Sequence, residues 1–138
     1  MDNLQNLEAW LTLALKINPG MKFIRLHGID AAGQCTCGEI HEDEKEVGKH
    51  PSGSWTKMAT DDVQTIVGWF RDNPYFNLGL ACQLSGIVAV DKDPRSGGHL
   101  SITKLDDASG YSLIETVTAI TGEYVICLQD PLSAGRHL

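Results

Sequence analysis

The stretch that decides the fold reads Ser85-Gly86-Ile87-Val88-Ala89-Val90-Asp91-Lys92-Asp93. Its four successive apolar residues are typical of a strand buried on both faces, and they end abruptly in two carboxylates. Because side chains alternate along a strand, Asp91 and Asp93 point to the same side and can converge on one point. Carboxylate oxygens are preferred ligands of Mg²⁺ and Mn²⁺, so the pair predicts a divalent-metal site. The alternative is that both aspartates open a polar turn, since proline and glycine follow.

The apolar pattern outside this stretch predicts an alternation of helices and strands. A first helix is expected over about residues 3 to 17, because leucine and alanine recur at helical spacing. Thr60 is expected to cap a second helix that ends before Asn73-Pro74. The other expected elements are strands over 21–26, 77–82, 86–92 and 115–121 and a helix over 98–108, with a long loop over 27–58. This mixture predicts an α/β (α+β) fold, a mixed sheet with flanking helices.

Length, charge and composition limit the classes of function. A chain of 138 residues is the size of one domain and can form a hydrophobic core large enough to fold without disulfide bonds. The formal net charge of −7 opposes bulk attraction to nucleic acid, so a polynucleotide would need a local basic patch or bound metal. The first residues lack the basic and apolar regions of a secretory signal peptide, and no apolar run has membrane-spanning length. We therefore expect a cytoplasmic protein with no membrane partner.

The loop over 29–58 carries a second candidate metal site. Cys35, Cys37, His41 and His50 fall within sixteen residues, and thiolate and imidazole are the ligands that Zn²⁺ prefers. Four protein ligands would form a closed structural site that ties the loop to the domain. The alternative is a solvated acidic loop with two incidental thiols, since four carboxylates lie over 42–46.

Several short motifs agree with one known family. They read Gly48-Lys49-His50-Pro51, Trp55-Thr56, Ala59-Thr60-Asp61, Ile66-Val67-Gly68-Trp69-Phe70, Asn77-Leu78-Gly79-Leu80, Ser85-Gly86, Asp91-Lys92-Asp93 and Gly97-Gly98-His99-Leu100-Ser101. In content, order and spacing they resemble the prim-pol domain, the bifunctional DNA primase/polymerase module of plasmids, phages and integrated elements. This module belongs to the archaeo-eukaryotic primase superfamily, and the resemblance covers about residues 10 to 121.

The resemblance implies a prim-pol-like fold and a role in DNA replication. It implies template-directed nucleotidyl transfer from nucleoside triphosphates on a DNA template, with two Mg²⁺ or Mn²⁺ ions held by Asp91 and Asp93. It also places Lys49 and His50 in the family's nucleotide-side motif, and a helicase domain or protein downstream is an implied partner.

Arg95 is a separate candidate from its own context. Gly97 and Gly98 follow shortly after it, so the segment could present a positive side chain and free backbone amides to phosphate at the start of a helix. The alternative is a turn followed by an ordinary N-terminal helix cap.

The C-terminal part departs from the family pattern. The strand over 115–121 is not followed by the family's glycine-rich turn and phosphate-contacting histidine. A similar cluster, which contains Arg136 and His137, comes only later, so His137 is either the displaced histidine or part of an unrelated tail. We expect the family's remaining sheet and third metal-binding carboxylate beyond Leu138. The chain is therefore interpreted as a partial prim-pol domain over 1–138, truncated at its C-terminus and inactive alone.

Two other classes of function remain open at this point. A catalytically dead module would bind a nucleotide or partner without turnover. A metal-dependent nuclease would use paired carboxylates for hydrolysis and would need no affinity for triphosphates.

Overall fold

The computed structural model describes residues 2–92, 97–109, 118–121 and 124–129. The chain divides into two compact units, residues 1–85 and 86–138. The first contains α1 (Asn3–Ile17), β1 (Phe23–Leu26), α2 (Trp55–Met58), α3 (Val63–Asp72), β2 (Asn77–Leu80) and α4 (Cys82–Ser85). The second contains β3 (Val88–Lys92), α5 (Gly98–Ser109), β4 (Thr118–Thr121) and β5 (Tyr124–Gln129). This mixture of helices and strands confirms the α/β class, but the described strands form two antiparallel sheets and not the mixed sheet that the sequence predicts.

The core of the first unit forms where helices α1 and α3 pack on each other and on a two-stranded sheet. Strands β1 and β2 pair antiparallel, with Phe23 opposite Leu80 and Leu26 opposite Asn77. Leu11 of α1 and Ile66 of α3 are completely buried, as the helical spacing of their apolar neighbours predicts. This packing fixes β1, the strand from which the candidate metal loop departs.

The start of α3 differs from the sequence-based expectation. Asp62, not Thr60, is the N-cap, and its carboxylate accepts a 2.8 Å hydrogen bond from the Thr65 amide. Thr60 instead pairs with Phe23 through two backbone hydrogen bonds of 2.8 and 3.0 Å, which extend the sheet. A threonine held in a β-bridge has the backbone of a strand, so the cap moves two residues along the chain.

The segment between β1 and α3 is more ordered than the long loop that we expected. Pro51 forms a β-bridge with Leu26, and Cys35 forms one with Ile29. The short helix α2 occupies 55–58, and the Asn77 side-chain amide donates a 2.8 Å hydrogen bond to the Gly48 carbonyl. The middle of the segment is therefore attached to both strands of the sheet, to β1 through Pro51 and to β2 through Gly48.

The second unit contains a three-stranded sheet in the order β3-β5-β4. Both strand pairs are antiparallel, and Asp91 of β3 lies opposite Ile126 of β5. Strand β5 was not predicted from the sequence, whereas α5 lies over almost the expected residues. None of the helices in the described ranges has the length and apolar character that crossing a membrane requires.

Candidate metal centre and strand carboxylates

Four metal-binding side chains come together in the segment that follows β1. One ligand atom from each of Cys35, Cys37, His41 and His50 lies within 4.8 Å of the other three. The residues lie up to fifteen positions apart in sequence, so the fold of the loop is what assembles them. Cys35 is buried and the other three are half-buried, which keeps the group largely out of water.

The distances between donor atoms suit a small tetrahedral ion. The Cys37 Sγ lies 3.1 Å from the His41 Nε2, and the Cys35 Sγ lies 3.4 Å from the His50 Nε2. Zinc bonds of about 2.3 Å to sulfur and about 2.0 Å to nitrogen give tetrahedral edges of roughly 3.3–3.8 Å. The cluster needs only sub-ångström to ångström adjustments to enclose such an ion. Its two sulfur and two nitrogen donors fit Zn²⁺ in chemistry as well as in number.

Backbone amides support both sulfur atoms. The amide of Gly48 donates to the Cys35 Sγ, and the amide of Glu39 donates to the Cys37 Sγ, each over 3.4 Å. Gly48 has a φ of 68°, a left-handed backbone that disfavours side chains, and a Cβ there would lie 2.9 Å from the Ile29 side chain. Glycine at this position therefore lets the chain turn back so that its amide reaches the buried sulfur.

The two thiols have different pKa values. Burial raises the pKa of Cys35, but hydrogen bonds from the backbone at Cys37 and Gly48 and from neighbouring side chains outweigh it, and the pKa falls to about 6. The hydrogen bond from the Glu39 backbone lowers the pKa of Cys37. Desolvation and the nearby Cys35 together raise it by more, so the pKa of Cys37 lies above its ordinary value. Cys35 is thus the thiol that is ionised first, as a metal ligand must be.

A further shell of polar groups holds the cluster on β1. The Thr36 hydroxyl lies 2.8 Å from the His27 Nδ1 and accepts a 3.1 Å hydrogen bond from the Gly28 amide. The centre of the His27 ring lies 4.7 Å from that of the His50 ring, and burial, followed by electrostatic repulsion from the neighbouring basic groups, lowers the pKa of His27. On the other side, the Glu46 carboxylate lies 3.8 Å from the His41 Nδ1. Such contacts orient metal-binding rings.

The other predicted site residues are placed only in part. Asp91 is the fourth residue of β3, so the strand does reach the first carboxylate. Asp93, Arg95, Arg136 and His137 lie outside the described residues. Lys49 is exposed, and its amide donates a 3.1 Å hydrogen bond to the Glu46 carbonyl. The structure therefore brings together the cysteine–histidine set, whereas the convergence of Asp91 and Asp93 stays a prediction.

Sequence reasoning missed a pair of basic side chains at the end of β1. Arg25 lies in the strand and His27 directly follows it, and both contact the Phe76 ring. The sequence shows an arginine in a short apolar strand and a histidine two residues later, a pattern that does not by itself single out a binding residue.

A comparison with models of protein families shows to which family the chain belongs. Residues 13–131 match the family model described as "Bifunctional DNA primase/polymerase, N-terminal". The chain belongs to the prim-pol family. Membership in this family relates the chain to DNA primase/polymerases, and the family in general binds nucleotides and DNA. Comparisons with curated proteins and with solved structures gave no match.

Proposed function

We propose that this prim-pol domain takes part in template-directed nucleotidyl transfer, with Asp91 and Asp93 holding two divalent cations. The observation that carries the proposal is the family match over 13–131, which includes β3 and both aspartates. Two carboxylates at positions i and i+2 form a donor set that fits Mg²⁺ or Mn²⁺. When bound, such ions polarise phosphate oxygens and help to form the attacking oxygen nucleophile.

The chain's own cations would bind the phosphates of the substrate. We assign this role to Lys49, which is exposed, and to Arg95, Arg136 and His137, which are candidates from the amino-acid sequence alone. His50 belongs instead to the cysteine–histidine cluster, because its Nε2 faces the Cys35 Sγ. With a net charge of −7, the protein depends on these few cations and on metal to hold a polyanion.

We further propose that Cys35, Cys37, His41 and His50 hold a structural zinc ion. Support comes from the mutual distances within 4.8 Å and from the amides that donate to both sulfurs. Four protein donors complete a tetrahedron and leave no position for a substrate, so the ion would fasten the loop to β1. The zinc site and the carboxylate pair are separate sites with separate tests.

Binding of a nucleoside triphosphate tests the first proposal. A fluorescent triphosphate should bind the 138-residue chain in the presence of Mn²⁺, and binding should weaken at least tenfold in Asp91→Asn/Asp93→Asn. Asp106→Asn/Asp107→Asn removes the same charge from α5 and serves as the matched control. Triphosphate binding that is equal in all three proteins, or absent from the unmodified chain, would contradict the proposed transfer function.

Metal analysis tests the zinc proposal. The chain purified without chelator should contain about one equivalent of zinc, as a four-ligand structural site requires. Cys35→Ser/Cys37→Ser should lose it, whereas Cys82→Ser should keep it, because Cys82 lies outside the cluster. Absence of zinc from the unmodified chain, or its retention in Cys35→Ser/Cys37→Ser, would contradict the proposed zinc site.

A further inference from the structure

We propose that Arg25 binds a phosphate group of the nucleic-acid or nucleotide substrate. The inference rests on the proposed function and adds to it a residue on β1, far in sequence from the carboxylate pair.

The guanidinium is fixed on two sides. Its Nε donates a 2.5 Å hydrogen bond to the Ser52 hydroxyl, and Nη2 lies 3.4 Å from the Ser52 carbonyl. Its central carbon lies 4.8 Å from the centre of the Phe76 ring, within the range of a cation–π contact. Ser52 is itself fixed, because its amide donates a 3.1 Å hydrogen bond to the Arg25 carbonyl. The side chain has therefore lost its freedom before any ligand arrives.

No carboxylate neutralises this cation within the described ranges. The nearby Lys22 provides the contrast, since it pairs with Asp61 at 2.5 Å. Arg25 has no acidic partner within 4.0 Å, and both Nη1 donors and one Nη2 donor have no protein acceptor in the described part of the chain. A half-buried cation with its outer donors unused is a prepared site for an anion.

The surroundings favour phosphate as that anion. The neighbouring segment over 49–60 contains no carboxylate and carries two exposed lysines, Lys49 and Lys57, although the chain as a whole is acidic. A guanidinium matches the geometry of phosphate oxygens with two parallel hydrogen bonds. Within a prim-pol domain, phosphate can come from a nucleoside triphosphate or from the DNA backbone, and both present the same chemistry to Arg25.

The test measures binding of both phosphate sources. Fluorescence anisotropy follows a labelled 20-nucleotide oligodeoxythymidine across a range of salt concentrations, and calorimetry follows a nucleoside triphosphate with Mn²⁺. Arg25→Gln removes the positive charge. Arg25→Lys keeps the charge but loses the planar guanidinium, which can donate two parallel hydrogen bonds to one phosphate. Arg71→Gln, an exposed arginine at the end of α3, is the matched control. Melting temperature and zinc content show whether each variant is folded.

We expect Arg25→Gln to weaken one ligand about tenfold and Arg25→Lys to weaken it less, with Arg71→Gln unchanged. If the ligand is DNA, the slope of log K against log salt should fall by about 0.7, the value for one single-strand phosphate contact. The ligand that responds identifies the source of the phosphate. Equal binding of both ligands by folded Arg25→Gln, Arg25→Lys and the unmodified chain would overturn this inference alone. Failure of the unmodified chain to bind either ligand would overturn the proposed function as well.

Discussion

Removal of the zinc ion proposed for the cysteine–histidine cluster should destabilise the first unit by an amount set by the loop that the ion would close. The link from Cys35 to His50 closes a loop of about 15 residues, for which the chain-entropy treatment gives about 3 kcal/mol. For a unit of about 85 residues, each kcal/mol corresponds to about 4–8 °C in melting temperature. Chelation is therefore expected to lower the melting temperature by about 12–24 °C.

The assay is thermal unfolding followed by circular dichroism, with and without a zinc chelator. Cys35→Ser should melt at the temperature of the chelated protein and should not respond to the chelator. Cys82→Ser is the control, because Cys82 is not a member of the cluster and its thiol donates a 3.8 Å hydrogen bond to the Leu80 carbonyl. Equal melting temperatures of the unmodified protein with and without chelator would refute the claim that metal fastens the loop.

Three further predictions concern the scaffold. Gly28→Ala should abolish stable folding, measured as loss of a cooperative thermal transition, because the added Cβ would overlap the Tyr75 carbonyl oxygen. Ile66→Ala should lower the free energy of unfolding in urea by about 2–5 kcal/mol, since Ile66 is fully buried between α3 and the core. The Lys22 ammonium lowers the pKa of Asp61, so their contact stabilises the protein at neutral pH and is lost as pH falls through that lowered pKa. Because Asp61 is half-exposed, Asp61→Asn should cost less than about 1 kcal/mol at neutral pH and nothing in acid, as urea titrations at both pH values would show.

Local pattern was enough to predict the helices with a clear apolar face. Helix α1 begins and ends close to the expected residues because its apolar spacing and the Asn18-Pro19-Gly20 stop signal agree. Strand β5 was missed because its place in the middle of the sheet depends on pairing with β3, which is far away in sequence, as well as with the neighbouring β4. Thr60 was misjudged as a cap for the same reason, since its pairing with Phe23 is a tertiary contact.

The same distinction holds for the functional groups. Residue type alone nominated the cysteine–histidine set, because thiols and imidazoles in one loop suit one metal. Their distances, the amides of Glu39 and Gly48 that donate to sulfur, and the contact of His27 with His50 required the fold. Arg25 could not be singled out from the sequence, because its distinction lies in the carboxylate that it lacks and in its contacts with Ser52 and Phe76.

Calorimetric titration with Mn²⁺ tests the central claim, that Asp91 and Asp93 form the metal site of a nucleotidyl-transfer domain. The unmodified chain, purified without chelator, should bind Mn²⁺ with modest affinity, because a site gains strength with the number and charge of its ligands and here two carboxylates are identified. Asp91→Asn/Asp93→Asn should abolish the binding, and Asp106→Asn/Asp107→Asn should preserve it. Unchanged Mn²⁺ binding in Asp91→Asn/Asp93→Asn would show that the two aspartates do not form the metal site and would contradict the account.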